Sequence, residues 1–228
     1  MNKQNKGRLI VIEGLDGSGK ATQTASLTRF LRGRGERVCQ VSFPDYGSQS
    51  SALVRMYLDG GIGGVGDVNA YAASSFYAAD RYVSYHNSWK KPYQTGHTIV
   101  ADRYTTSNAA HQMSKLPREE WDGFLAWLED YEYRRLALPA PDLVVYLDML
   151  PAVSRALILS RSAGGRELDI HEQAAGYLES CREAALYAAE ALGWRVIRCD
   201  DGESPESVED VFAKIKLIPE VTLKGKIL

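Results

Sequence analysis

The chain has 228 residues, 45% hydrophobic and 25% charged, enough for one sizeable core and in line with ordinary globular composition. A formal net charge of −2 excludes a general attraction to nucleic acid or to an anionic membrane, so any anion must be bound by particular residues. Three cysteines at long spacings, Cys39, Cys181 and Cys199, exclude a disulfide framework and a zinc cluster and read as reduced, packed thiols.

In chain order, the first expected strand is "RLIVIEG". Its apolar run of about four residues is too short for a signal-peptide core or a membrane span, so a cytoplasmic, soluble protein is expected. Four more short β-rich runs follow: "RVCQVSF", "HTIVADRY", "DLVVYLDM" and "WRVIRCD". Each is nearly continuous in apolar residues, as strands covered on both faces are. Between them stand helical patterns: "KATQTASLTRFLRGRG", Asn69 to Trp89, Thr106 to Arg135, "PAVSRALILSRS" and Ile170 to Leu192. A last helix is expected from about Pro205 to Lys216. The glycine-dense "GGIGGVG" is a loop. Strands alternating with helices predict an α/β fold, a five-stranded parallel sheet with helices on both faces, folded as a single domain over 1–228.

Between the first strand and first helix lies "GLDGSGKAT", a phosphate-binding loop by its glycine spacing and lysine. Gly14, Gly17, Ser18, Gly19 and Lys20 would bring backbone N–H groups, a helix N-terminus and a point charge to the β- and γ-phosphates of a nucleotide. The position after the lysine should be Ser or Thr to bind magnesium, and here it is Ala21. Thr22 is rotated by about 100° around the helix and cannot simply take that place. The third strand runs into Asp102 and Arg103. In an open parallel sheet ligands sit beyond the carboxyl ends of the strands, so this pair would face the phosphate loop. There Asp102 can orient a magnesium ion or accept a proton, and Arg103 can bridge two phosphates. Tyr77 and Arg81, spaced i, i+4 in "FYAADR", can approach one planar base from the same side.

Taken together, "EGLDGSGKATQ", "FPDY", "SSFYAADRY", "ADRYTTSNAAHQ" and "LPAPDLVVYLD" resemble the thymidylate kinase family from about Arg8 to Lys216. The resemblance implies a P-loop NTPase fold of the nucleoside monophosphate kinase kind with a helical lid, ATP and dTMP as substrates, magnesium as cofactor, and a homodimer. It places Asp16 on the 3′-hydroxyl of dTMP. Phe43 and Pro44 wall the acceptor, Tyr46 meets its phosphate, and Arg55 stands in for an arginine that some relatives carry in that loop. Tyr77 would stack on thymine, Arg81 bond its edge, and Ser107 and Asn108 line base and sugar. His111 stands where relatives often carry an aromatic residue near the sugar; as a lone histidine it reads most simply as a helix-surface residue.

"ILSRSAGGRELDIHEQ" concentrates Arg161, Arg166 and a glycine pair, and a mobile arginine-bearing segment, here about 161–173, can close over ATP and neutralise the transferring group. Because the phosphate loop has Gly17 and Ser18 where some relatives have arginine, the resemblance implies that the catalytic arginine lies in this lid. A deoxynucleoside kinase of the same fold and a non-catalytic nucleotide-binding regulatory protein, for which Ala21 speaks, are the alternatives.

Overall fold

The computed structural model describes residues 6–162 and 176–222, without the side chains of 161 and 162. Five strands form one parallel sheet: β1 (Arg8–Gly14), β2 (Val38–Ser42), β3 (Thr98–Asp102), β4 (Leu143–Asp148) and β5 (Arg195–Arg198), in the order β2-β3-β1-β4-β5. All five expected strands are present. The three inner ones are buried nearly throughout, whereas β2 and β5 are not covered on both sides as expected: they are the sheet edges, β2 with no fully buried position and β5 with Ile197 alone buried.

Strand alternation sends neighbouring side chains of β1 to opposite faces, and each face has its own core. Leu9 and Val11 join Ile99, Ala101, Trp89, Phe124 and Ala185 on one side. Ile10 and Ile12 join Leu27, Leu31, Val153, Val211 and Ile215 on the other. Helix α1 (Lys20–Gly33) owes its docking to Leu27 and Leu31, both fully buried. Each such side chain stabilises the fold by roughly 1.5–3 kcal/mol.

The remaining helices are α2 (Ala52–Leu58), α3 (Ala70–Ser84), α4 (Lys90–Gln94), α5 (Thr106–His111), α6 (Trp121–Glu129), α7 (Pro151–Ser162), α8 (Tyr177–Leu192), α9 (Val208–Lys216) and α10 (Pro219–Thr222). Two expected helices are interrupted. α3 passes through a π-helical turn, Tyr85–Trp89, into α4. The stretch from Thr106 to Arg135 breaks into α5, two 3-10 turns around Pro117, and α6, then ends in a second π-helical turn, Asp130–Arg135. Proline lacks the N–H that a continuous helix needs there. α9 starts at Val208 rather than Pro205 because Ser207 caps it, its Oγ accepting from the N–H of Asp210 at 3.1 Å. The cysteines are free, with Cys181 and Cys199 buried.

The topology sets the site. β1 and β3 are neighbours in register, Ile12 beside Asp102, so the loop leaving β1 and the residues leaving β3 emerge side by side.

Candidate active site

Beyond β1 the chain turns through Gly17 and Gly19, with φ of 85° and 86°, a left-handed backbone that a side chain resists. The turn delivers Lys20 to the start of α1, and its Nζ folds back to donate to the carbonyl of Leu15 at 2.6 Å. The loop is fastened from outside by Ser154 of α7, whose Oγ donates to the carbonyl of Asp16. Burial and the nearby Arg103 charge lower Lys20 to a pKa of about 8, against the opposing pull of Asp16, Glu13 and Asp102.

At the end of β3 the N–H of Arg103 bonds the carbonyl of Ile12 at 3.0 Å, and its φ is 65°, strained for a residue with a side chain. That conformation turns the guanidinium into an acidic corner. Nη2 donates to Asp16 at 2.5 Å, and Nη1 reaches Glu13 at 3.3 Å, Ser107 Oγ at 3.3 Å and His111 Nε2 at 3.2 Å. Burial works against its charge, but Asp16, Glu13 and Asp102 outweigh it and hold Arg103 firmly protonated. Loss of water likewise opposes the charge of Asp16, yet Arg103, Lys20 and His111 keep that carboxyl far below the usual range. Asp102 moves the other way: burial raises it despite Lys20 and Arg103, and its carboxylate accepts no hydrogen bond among the described residues.

The second half of the site rests on α3. Asp80 fixes the segment after β2, accepting from the N–H of Asp45 at 2.8 Å and from Ser50 Oγ at 2.5 Å. Phe43, Pro44 and Tyr46 are thereby presented to α3. Arg55 of α2 braces the same segment, with Nη1 donating to the carbonyls of Tyr46 and Ser48, both at 3.1 Å, and to Ser51 Oγ at 2.5 Å. Tyr77 meets Tyr57 edge-on, ring centres 6.4 Å apart, and Tyr57 Oη is held by Lys115 Nζ at 2.7 Å. Arg81, one turn on, is 1% exposed and lies side-on against Glu132, which is 0% exposed: Nε to Oε2 at 2.7 Å, Nη2 to Oε1 at 2.5 Å.

One cavity of about 550 Å³ joins the two halves. Asp16, Gly17, Gly19, Lys20, Ala21 and Thr22 line its phosphate-loop end, and Asp102, Arg103, Ser107 and Asn108 its middle. Phe43, Pro44, Tyr46, Arg55, Tyr77 and Arg81 line the far end. Gly14 and Ser18 do not line it; they shape the loop from behind, a Cβ on Gly14 standing 2.5 Å from Ser18 Oγ. The side chain of Arg161, and Arg166 with the rest of the expected lid through residue 173, lie outside the described residues. His111 is not on the helix surface. It is 7% exposed and packed between Arg103, Tyr177 and Cys181.

Two acidic residues escaped the motif reading. Glu13 receives the N–H of Gly14 at 2.9 Å, Thr106 Oγ1 at 2.8 Å and Ser107 Oγ at 2.7 Å as well as Arg103, binding the ends of β1 and β3 together. Its signal is in the sequence: a carboxylate closing an apolar buried strand needs partners. Glu132 gave no such signal, because it stands 51 residues from Arg81 in a stretch read as plain helix.

A phosphate loop between β1 and α1, with an Asp-Arg pair at the adjoining strand end of a five-stranded parallel sheet, defines a P-loop NTPase of the α/β class. A family model described as thymidylate kinase matches residues 12–214. The chain belongs to the thymidylate kinase family, and with it to the ATP-binding kinases. It is 34% identical over 195 residues to a thymidylate kinase of Mycobacterium tuberculosis, covering 82% of this chain and 87% of that one. It is 27% identical over 217 residues to one from Arabidopsis thaliana, covering 93% and 71%. The solved structure of thymidylate kinase from Candida albicans shares the fold, with a TM-score of 0.67 at 20% identity over 96% of this chain and 93% of that one.

Proposed function

We propose that the protein transfers the γ-phosphoryl group of ATP to the 5′-phosphate of dTMP, giving dTDP. The observation that carries this is one cavity whose lining holds both the phosphate loop and, on the acceptor side, the rings of Tyr77 and Phe43 with Arg81, together with Arg103. Family membership favours this reading over a deoxynucleoside kinase or a non-catalytic binder.

Lys20 and the loop N–H groups of Gly17 and Gly19 hold the β- and γ-phosphates, while Thr22 at the cavity edge contacts ATP. Arg103 spans the donor and acceptor phosphates and stabilises the charge that moves between them. Tyr77 stacks on the base, Arg81, Ser107 and Asn108 bond it and its sugar, and Phe43 and Pro44 close the opposite wall. Asp16 takes the 3′-hydroxyl; Tyr46 and Arg55 meet the 5′-phosphate. Arg161 and Arg166 would neutralise the transferring group.

The residues fit magnesium carried by ATP. No group of three or more His, Cys, Asp or Glu that could cage a metal occurs among the described residues, and magnesium keeps waters and binds largely through substrate phosphates. Asp102, near the Lys20 charge and accepting no hydrogen bond among the described residues, would hold those waters in place of the hydroxyl missing at Ala21. When bound, the metal neutralises the phosphate oxygens.

The working protein is a homodimer in the cytoplasm, built of one kinase domain. The apolar Leu53 and Met56 of α2 and Tyr82 and Val83 of α3 are exposed and supply a surface for a second copy. No helix among the described residues is long and apolar enough to cross a membrane. An ADP-release assay with dTMP, thymidine and dGMP tests the function. Release with dTMP alone is expected; equal release with thymidine, or with dGMP, would reject the acceptor assignment.

A further inference from the structure

We propose that Glu132, which does not line the cavity, is a positioning residue that sets the donor-acceptor polarity of the base-reading wall. The inference rests on the reading of that wall as a pyrimidine monophosphate site.

Glu132 is fully buried on the π-helical turn that ends α6, and its two oxygens serve both base-facing residues. A guanidinium has five N–H groups. In Arg81 the Nε and one Nη2 group go to Glu132, and one Nη1 group reaches the carbonyl of Tyr104 at 3.3 Å. One N–H remains on each Nη. Asn108 is equally committed: Nδ2 donates to Glu132 Oε1 at 3.2 Å and to the carbonyl of Ser74 at 3.3 Å. A flipped amide would set oxygen against two oxygens, so the network fixes Oδ1 as the amide atom left to accept.

The wall therefore presents a donor, Arg81, beside an acceptor, Asn108. Its complement is a base edge with a carbonyl oxygen next to a ring N–H, the imide of thymine or uracil. Cytosine presents the reverse, an amino group next to a bare ring nitrogen, and would leave buried polar groups facing their own kind. Glu132 is the residue that accepts from both partners at once; the carbonyls of Ser74 and Tyr104 each hold only one of them. Its Oε1 accepts from Arg81 and Asn108 together while Oε2 takes the Nε–H of Arg81; an amide in its place would have to set its NH2 against one of these donors.

The test is Glu132→Gln, read as kcat/KM for dTMP and dCMP, with KM for ATP and thermal unfolding as controls. The dTMP:dCMP ratio should fall at least tenfold, chiefly through a higher KM for dTMP, with KM for ATP unchanged. An unmoved ratio, including an equal loss on both acceptors from general loosening, would overturn the proposal. Should Glu132→Gln not fold, Glu132→Asp keeps the charge but is one methylene short. It should lower the same ratio by a smaller factor, and an unmoved ratio there overturns the proposal equally. A natural protein inactive on dTMP would sink the functional reading itself, whereas an active one whose ratio ignores Glu132 would sink only this inference.

Discussion

Lys20 sits where two requirements conflict: the lysine must be charged to hold phosphate, yet burial and Arg103 bring its pKa to about 8. In the free protein it is charged below about pH 8 and loses its proton above. The value of kcat/KM for ATP, which reports the free enzyme, should be flat below that pH and fall above it by up to about tenfold per pH unit. Bound phosphates favour the charged form, so the matching fall in kcat should come at higher pH. Folding responds with the opposite sign. The unfolded lysine, at its ordinary value of 10.5, binds the proton more tightly, so this residue's contribution to stability rises between about pH 8 and 10.5. A pH-independent kcat/KM for ATP from pH 7 to 9.5 would contradict the picture. Next to Lys20, Ala21 poses the magnesium question directly. If Asp102 holds the metal's waters as proposed, Ala21→Ser should change turnover by less than about tenfold, the equivalent of roughly 1.4 kcal/mol. Asp102→Asn should cost much more, and magnesium titrations of both variants decide it. An inactive natural protein rescued by Ala21→Ser would revive a regulatory role. Residues named by a motif were legible at this scale because their chemistry is local in sequence. His111 was misread because nothing near it in the chain reveals that Arg103, Tyr177 and Cys181 close around it.

Among elements, the phosphate loop and α7 act as one unit. Ser154 holds the loop carbonyl at Asp16, and a Cβ on Gly17 would stand 2.8 Å from the Ser154 carbonyl at a φ of 85°. Gly17→Ala should therefore cost about 2 kcal/mol in backbone strain alone. In a chain of this length that lowers Tm by roughly 4–8 °C. It should also weaken ATP binding, since the loop N–H groups move with it; an unchanged Tm and KM for ATP would show that the loop tolerates the shift. Strands and their order of appearance were legible, being short apolar runs punctuated by glycine and proline. The breaks within Thr106 to Arg135 were only half legible. Pro117 marks one of them, but the π-helical turn at Asp130–Arg135 has no punctuating residue, and it is this turn that carries Glu132 under Arg81.

At the scale of the whole molecule, the order β2-β3-β1-β4-β5 brings three distant segments together beyond the carboxyl ends of neighbouring strands: the loop after β1, Arg103 after β3, and the Phe43 segment after β2. A list of strands does not contain that order. It is set by long-range pairing and by crossovers that leave a core on each face of the sheet. The central claim is that this convergence makes one channel for phosphoryl transfer with Arg103 at its midpoint, gripped by Glu13 and Asp16 in a strained left-handed backbone. Transfer of label from [γ-³²P]ATP to dTMP, with product resolved by chromatography, tests it most directly on the natural protein and on Arg103→Ala. Labelled dTDP should form with the natural protein and slow by roughly a hundredfold or more in the variant, as when a transition-state arginine is lost. Absence of labelled dTDP from the natural protein, or an Arg103→Ala variant that transfers at the natural rate, would contradict the account.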